Sequence, residues 1–385
     1  MLQMNSKTKS EKSIRWGKVF VTGSAFMGYQ VGAGSSSGAE SLQFFASYGA
    51  SWGIISMILL WVLTLAYTYG TYNSSRFLDN ARNAYKFFCG KYFAPVVDWF
   101  SMILLTGITL VLFAGCGAAL NQYLGIPEYV GAISIGLISL GTVMLGLERL
   151  VDIIGNIGFL TIGILLVVAL FQMVTADESI FEASANMTDY VKDGSVLQAG
   201  LFGIDNEWVS FFSYIGINIC TGFPLLAMVG NSIVKSKPES IAMAFSSSTA
   251  FMVPIVGTLV LVLYNIDYVV ETSAQIPVMA AIERLLPPLA IVFLIVVVLE
   301  IYTSIAGYLF VVGRRLADDK TKRQKIIFVI VTIAGIGLGS FIPFATAMNF
   351  VYPMAGLVGP AFLVIVIVKA IRFKEPAEGE IIEVE

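Results

Sequence analysis

The sequence predicts an all-α membrane protein, in which ten transmembrane helices form two halves of five helices with opposite orientation. Three observations support this fold class: an apolar composition, ten long hydrophobic runs, and an interruption in the first run of each half. Of the 385 residues, 57% are hydrophobic and 13% are charged, whereas a typical soluble domain has about 25% charged residues. Each run is long enough to cross a hydrocarbon core about 30 Å thick. The ten runs lie near 19–47, 51–72, 93–120, 129–147, 153–174, 207–233, 240–264, 286–312, 326–345 and 349–370.

The distribution of lysine and arginine predicts the orientation of the chain. With ten spans both termini lie on one side, and 21 of the 23 basic residues fall on that side. Because basic residues favour the cytoplasmic side, we expect cytoplasmic N and C termini. The predicted order is an N-terminal segment (1–18), a first repeat (19–174), an extracellular loop (175–206), a second repeat (207–370) and an acidic tail (371–385). The tail is expected to be disordered from Glu375 to Glu385.

The first hydrophobic run is interrupted at 31–38, where the sequence reads Val-Gly-Ala-Gly-Ser-Ser-Ser-Gly. Glycine costs about 1 kcal/mol relative to alanine inside a helix, and irregular backbone in a bilayer is tolerated only inside protein or beside a cavity. The sixth run has Asn, Thr, Gly and Pro within 218–224. We therefore expect helices one and six to be discontinuous at these places and to lie side by side, since paired interruptions mark transporter binding sites. The alternative is a pair of ordinary kinks.

Two such breaks would present free backbone N–H groups at mid-membrane depth. Because no lysine or arginine lies at that depth in any predicted span, these N–H groups are the remaining positive potential for a carboxylate. Aromatic side chains near the breaks suit an ammonium group, although ordinary helix packing is the alternative for each of them. The predicted solute-binding residues are Tyr29, Ala33, Gly34, Ser35, Phe44, Tyr214, Thr221, Gly222 and Phe223.

The composition argues against an enzyme and against nucleic-acid binding. The chain has no histidine and only three scattered cysteines, so neither a disulfide framework nor a cysteine and histidine metal site is predicted. The sequence contains no nucleophile motif and no nucleotide-binding motif. We expect no enzymatic activity and no organic cofactor. The expected partners are a small solute and the lipid bilayer, and the oligomeric state stays open.

Residues 31–45, which read Val-Gly-Ala-Gly-Ser-Ser-Ser-Gly-Ala-Glu-Ser-Leu-Gln-Phe-Phe, resemble the opening signature of YkvI-type bacterial membrane proteins. These proteins are a branch of the amino acid–polyamine–organocation superfamily. Their usual pattern has an aromatic residue at the position of Ser35 and glutamine at the position of Ala39. The resemblance implies a LeuT-like fold with a five-plus-five inverted repeat, in the plasma (inner) membrane of a bacterium.

The eighth run contains two adjacent hydroxyl residues, Thr303 and Ser304. LeuT-like sodium transporters place such a pair at this point. The resemblance therefore implies a sodium site that is completed by the backbone carbonyls of Gly28, Val31 and Glu300. The alternative is that both hydroxyls bond to carbonyls of their own helix.

Two acidic residues are further candidates for coupling or gating. Glu300 lies inside the eighth span, where an ionisable residue is a functional candidate by default. It is a possible proton carrier, cation ligand or amine partner, with a structural acid as the alternative. Glu40 lies just beyond the first break, where it would contact solute or form an external gate with Arg284 as a candidate partner. The alternative for Glu40 is a solvated residue at the mouth.

An inner gate is implied at the cytoplasmic end. In sodium-coupled LeuT-like proteins, an arginine before the first helix meets an aspartate after the eighth. The corresponding residues are Arg15 and Asp318, which is followed by Asp319, and Trp16 is a candidate plug. Membrane-interface anchoring by tryptophan and simple positive-inside charge are the alternatives.

Together these observations favour a secondary transporter for a small amino acid or amine-type solute, coupled to sodium and working by alternating access. A proton-coupled carrier of the same class is the alternative, and without histidine it would have to use Glu40 or Glu300. A second alternative, from a different class, is a nutrient sensor. Some LeuT-like subunits of spore germinant receptors bind nutrients without established transport. A short amphipathic helix is predicted at 276–285, above the external mouth.

Overall fold

The computed structural model describes residues 14–201, 204–274, 276–318, 320–339, 351–377 and 380–384, and for a few helical residues, Ala33 among them, only the backbone. This part of the chain is helical and contains no β-strands. Most of the predicted N-terminal segment, residue Asp319 and the end of the ninth predicted span lie outside the described residues.

The first half of the chain begins with three short helices and continues with four longer ones. They are α1 (Trp16–Gln30), α2 (Ala33–Ser36), α3 (Ala39–Phe44), α4 (Ala50–Ser75), α5 (Ala84–Leu124), α6 (Glu128–Val143) and α7 (Leu147–Thr175). Two small helices follow in the loop between the halves, α8 (Ile180–Ala183) and α9 (Met187–Lys192).

The second half contains four long helices and three shorter ones among the described residues. They are α10 (Glu207–Ser232), α11 (Lys237–Tyr264), α12 (Ile266–Glu271), α13 (Pro277–Leu285), α14 (Ala290–Leu316), α15 (Lys322–Gly339) and α16 (Gly359–Arg372). Within the described part, six helices are long and apolar enough to cross a membrane, namely α4, α5, α7, α10, α11 and α14. The chain is thus a multi-pass membrane protein, while the count of ten spans and the inverted repeat remain predictions.

The predicted break in the first helix is confirmed. Helix α1 ends at Gln30, and Val31 has an extended conformation with φ −83° and ψ 90°. The chain then forms α2 and α3, separated at Gly38, whose φ of 80° lies in the left-handed region that favours glycine. The glycines and serines of 31–38 therefore interrupt the helix as their low helix propensity suggests.

The predicted break in the sixth helix is wrong, because α10 runs without interruption from Glu207 to Ser232 and includes Pro224. A proline removes one backbone donor, and membrane helices tolerate this loss where neighbouring groups satisfy the freed carbonyl. The polar residues of 218–224 serve a different purpose. Asn218, Thr221 and Gly222 have the spacing i, i+3 and i+4, so they form one face of a continuous helix, and that face contacts α1.

Helix α1 occupies the centre of the molecule, where it packs against α7, α10, α11 and α14. Small residues allow the backbones of α1 and α7 to approach each other closely. A Cβ at Gly158 of α7 would lie 2.5 Å from the carbonyl oxygen of Ser24, and one at Gly155 would lie 2.5 Å from that of Val21. Close backbone approach through small residues is the usual way to pack helices in a membrane.

Helix α13 lies directly against the break in the first helix, and its helical conformation was expected from the sequence. The amide of Val278 donates to the carbonyl of Ser37 at 2.9 Å, and residues 277–282 are buried. The helix therefore covers the break on the side predicted to be extracellular.

The acidic tail is not disordered where the structure describes it. The amide of Ile382 donates to the carbonyl of Phe77 at 2.7 Å, and the amide of Asp79 donates to the carbonyl of Ile382 at 3.2 Å. The Glu375 carboxylate binds Arg76 at 3.0 Å and Lys237 at 3.1 Å. These contacts attach the tail to the loop between α4 and α5 and to the start of α11. The prediction of disorder is therefore wrong for 375–377 and 380–384.

Candidate functional site

Five oxygen atoms from the broken helix and from α14 converge at one place. The Thr303 hydroxyl lies 2.5 Å from the Gly28 carbonyl oxygen and 2.9 Å from that of Glu300. The Ser304 hydroxyl lies 3.2 Å from the Gly28 carbonyl oxygen and 3.3 Å from that of Val31. The structure thus brings together all five residues of the predicted sodium site. The hydroxyls also reach carbonyls of the first helix, which bonding within their own helix would not require.

The end of α1 explains why its carbonyls are available. The Gly32 amide donates to Gln30 rather than to Gly28, four residues before it, so the Gly28 carbonyl is released from the helical pattern. Released carbonyls at the C-terminal end of a half-helix carry partial negative charge. Such carbonyls, together with side-chain hydroxyls, are suitable ligands for a small cation.

Glu40 folds back over the break instead of extending toward the outside. Its carboxyl group accepts a short hydrogen bond from the Ser35 hydroxyl, and the hydroxyls of Tyr214 and Tyr352 lie beside it. Ser35 and Tyr214 are themselves 3.4 Å apart. All four residues are at most 6% exposed, so this cluster closes the break toward the side predicted to be extracellular. The solvated mouth that was the alternative for Glu40 is not observed.

The space beside Gly34 is filled by this carboxyl group. A Cβ at Gly34 would lie 2.8 Å from the carboxyl carbon of Glu40. The place predicted for a substrate carboxylate is therefore occupied by a carboxyl group of the protein itself. Arg284, the candidate partner of Glu40, instead lies over the ring of Tyr268 at 5.7 Å.

A network of amides and hydroxyls connects the two predicted break regions. The Gln30 side chain donates to the carbonyl of Asn218 at 2.9 Å and accepts from the Thr221 hydroxyl at 3.0 Å. The Tyr29 hydroxyl donates to the carbonyl of Thr221 at 2.7 Å. The expected proximity of the two segments is thus observed. Sequence reasoning missed Gln30, although a glutamine directly before a break at mid-membrane depth was a usable signal.

The predicted aromatic residues have different surroundings. Phe44 lies 5.3 Å from Tyr214, ring centre to ring centre, beside the Glu40 cluster. Tyr29 makes an edge contact with Tyr308 at 4.7 Å and is packed against α14. Phe223 faces away from the break, with its ring 4.8 Å from those of Tyr85 and Phe362.

Three further candidates are Gly222 and Ala33, predicted to bind solute, and Glu300, predicted to act in coupling. Gly222 faces α1, and a Cβ there would lie 3.0 Å from the Gln30 side-chain nitrogen. The backbone of Ala33 begins α2, while its side chain lies outside the described atoms. Glu300 is completely buried on α14, and its carbonyl belongs to the oxygen cluster.

The predicted inner gate between Arg15 and Asp318 is not formed in this structure. Arg15 binds the carboxylate of Glu239 at 2.8 Å. Asp318 is exposed and lies 3.1 Å from Arg82. Trp16 is 57% exposed and contacts Phe20 rather than a path through the protein, which agrees with the alternative of interfacial anchoring.

A cavity of about 420 Å³ opens on the face that carries the predicted cytoplasmic loops. It extends inward to Phe223 and Val311, and its rim is predominantly basic. Its charged lining residues are Arg82, Glu148, Arg149, Arg314, Arg315 and Lys320. The cavity thus lies on the face opposite the Glu40 cluster.

Comparison with known proteins identifies relatives along most of the chain. No family model matches. The uncharacterized membrane protein YkvI of Bacillus subtilis (strain 168) is 22% identical over 352 residues, covering 88% of this chain and 92% of the relative. The uncharacterized protein YyaD of the same organism is 24% identical over 359 residues, covering 90% and 96%.

Solved structures of transporters share the fold. A sodium-coupled sialic acid symporter matches with a TM-score of 0.60 at 12% identity, covering 92% of this chain and 90% of that chain. MHP1, a nucleobase-cation-symport-1 family transporter, matches with a TM-score of 0.52 at 16% identity, covering 95% and 81%. A manganese transporter of Eremococcus coleocola matches with a TM-score of 0.53 at 12% identity, covering 94% and 82%. These three proteins are transporters rather than enzymes. The chain is therefore similar to the YkvI-type membrane proteins along most of its length, and it has the LeuT-type fold of these transporters.

Proposed function

We propose that this protein is a secondary active transporter that moves a small amino acid or amine-type solute by alternating access, coupled to sodium. The convergence of the Thr303 and Ser304 hydroxyls with carbonyls of Gly28, Val31 and Glu300 carries this proposal. Cation binding would join α14 to the broken first helix, and so connect ion occupancy to the shape of the adjacent break.

The fold and the cavity support the transport part of the proposal. In this fold, solute and ion sites lie near the bilayer midplane beside interrupted helices. The break is covered on one face by the Glu40 cluster, and a cavity opens on the other face. In an alternating-access cycle the site is covered on one face at a time, and the Glu40 cluster supplies such a cover. The solute and the direction of transport remain parts of the proposal.

Proton coupling is the second candidate, and the buried acids favour it. Glu40 and Glu300 are 6% and 0% exposed, and either carboxyl group is able to carry a proton across the closed state. In that case the hydroxyl pair on α14 would be structural, and uptake would follow the proton gradient.

The test is solute exchange and uptake by the full-length protein in liposomes, with sodium and proton gradients imposed separately. Replacement of both hydroxyls, Thr303→Ala with Ser304→Ala, is expected to weaken sodium-dependent solute binding about tenfold or more, which is about 1.4 kcal/mol. Thr106→Ala is the matched control, since the Thr106 hydroxyl bonds only to the carbonyl of Met102 on its own helix among the contacts described.

The outcomes separate the candidates. Uptake that ignores sodium and collapses with the proton gradient would replace sodium by proton coupling. A solute that binds without any exchange across the membrane would indicate a sensor, and the transport proposal would fail.

A further inference from the structure

The buried charges of the described residues are all acidic. Four acidic side chains are buried and no lysine or arginine is, the acids being Glu40, Asp98, Glu239 and Glu300. Asp98 has an ion pair with Arg315, and Glu239 has one with Arg15. Glu40 takes part in none of the ion pairs between described residues. The region beside the break therefore has an acid but no fixed positive charge.

An ionised carboxylate at this position needs a positive partner. Removing a charge from water is costly unless the charge is paired. The hydroxyls of Ser35, Tyr214 and Tyr352 offer hydrogen bonds to the Glu40 carboxyl group, but they supply no net positive charge. Neutralisation must come from a proton or from a cation that enters with the solute.

The walls of the cluster suit an organic cation. The ring of Tyr214 lies 5.3 Å from that of Phe44 and 4.8 Å from that of Phe45. Aromatic faces attract ammonium groups, most strongly where water is excluded. A solute carboxylate at the same place would meet both these faces and the Glu40 carboxylate, so an anion is disfavoured beside Gly34.

We propose that Glu40 binds the ammonium group of the solute, so the solute is an amine or a zwitterionic amino acid and not a simple carboxylic acid. This inference rests on the proposed transport function and specifies its substrate class. When the ammonium group neutralises Glu40, the hydroxyl cluster can close over the occupied break.

The experiment uses three matched sets of probes on the purified full-length protein. They are the twenty amino acids, the amines obtained by removing their carboxyl groups, and the acids obtained by removing their amino groups. Binding is measured as the shift of the thermal unfolding midpoint, since a ligand that binds the native state stabilises it. We expect shifts from members of the first or second set and none from the third. Each ligand found in this way is then tested for exchange in liposomes.

Variants of Glu40 test whether this residue binds the ammonium group of the probe. Glu40→Gln is expected to weaken binding of the best amino-containing probe at least about tenfold, because a partner of a buried charge pair is lost. Glu40→Asp keeps the charge and should retain the preference for cations at lower affinity, which keeps the test valid if the Gln variant folds poorly. Glu128→Gln, which changes an exposed acid at the start of α6, should bind like the wild type.

Several results would overturn the inference. One is a wild-type protein that binds only the acids, and another is a Glu40→Gln variant that binds the amino-containing probe normally. If the Gln variant binds normally but loses the pH dependence of uptake, Glu40 is a proton carrier instead of a recognition residue, and the transport proposal survives. If the wild type binds probes but exchanges none of them, the transport proposal fails. Binding by the Glu40→Gln variant then decides separately whether Glu40 recognises the ammonium group. If the wild type binds none of the probes, both fail.

Discussion

At the scale of single residues, the absence of a side chain at position 34 provides the room for the Glu40 carboxyl group. A Cβ there would lie 2.8 Å from both Cγ and Cδ of Glu40, a distance that forces the acid to move. Gly34→Ala is therefore expected to separate Glu40 from the Ser35 hydroxyl and to weaken solute binding about tenfold or more. The measurement is the thermal shift with the best solute found.

Gly141→Ala is the control for this substitution, because a Cβ at that position meets nothing within 4 Å. The control should leave binding unchanged and stabilise the helix slightly. Normal solute binding by the Gly34→Ala variant would contradict the role given to the Glu40 position.

At the scale of helices, α10 and the segment that leads into α16 are in direct backbone contact. A Cβ at Gly216 would lie 2.6 Å from the carbonyl oxygen of Ala355 and 3.4 Å from the Cα of Gly359. Gly216→Ala should push these elements apart and lower stability by about 1–3 kcal/mol, the usual effect of overpacking. The measurement is the unfolding midpoint in detergent at a fixed scan rate, and Gly163→Ala, which has open space, is the control. An unchanged midpoint for Gly216→Ala would mean that the contact is easily relaxed.

The two predicted helix breaks had different outcomes, because only the first cluster of weak helix formers interrupts its helix. The break at 31–38 was predictable because glycine and serine are weak helix formers and occupy six of the seven positions of 32–38. The prediction of a break at 218–224 was wrong because Asn218, Thr221 and Gly222 form one face of a continuous helix. The residue types alone are the same for such a face and for an interruption of the helix. Whether a polar cluster breaks a helix depends on the neighbour it meets, here the Gln30 side chain.

Some contacts of the site were predicted and others were not, because contacts between distant parts of the chain leave no local pattern in the sequence. Thr303 and Ser304 were identified with their carbonyl partners because the resemblance supplied the distant half of the site. The contact of Tyr352 with Glu40 joins residues far apart in the chain, and no local pattern indicates it. The pairing of Arg15 with Glu239 instead of Asp318 likewise joins residues far apart in the chain.

At the scale of the whole molecule, the tail ties together parts of both halves through Glu375. Burial tends to raise the pKa of this carboxyl group, but hydrogen bonds from Asn73 and Lys237 and the charge of Arg76 lower it below its ordinary value of 4.5. A depressed pKa in the folded state means that the attachment is fully stabilised above pH 4.5 and is lost as the pH falls through the lower, folded value.

Glu375→Gln is expected to loosen the tail at neutral pH. Hydrogen exchange at the amides of Asp79 and Ile382, which bond across the tail contact, should become faster in this variant. In the wild type the same increase should occur only below about pH 4.5, the ordinary pKa of the group. Glu383→Gln, at an exposed acid of the same segment, should exchange like the wild type. Equal protection in both variants would show that the backbone bonds alone hold the tail.

The closure over Glu40 has a kinetic consequence. A solute that arrives from the closed face cannot meet its site until the cluster of Ser35, Tyr214 and Tyr352 separates. From the closed face, the observed association rate should rise with solute concentration and then level off at the rate of opening. The rate at the plateau would be a property of the protein and not of the solute, and it would therefore be the same for every compound transported from that face.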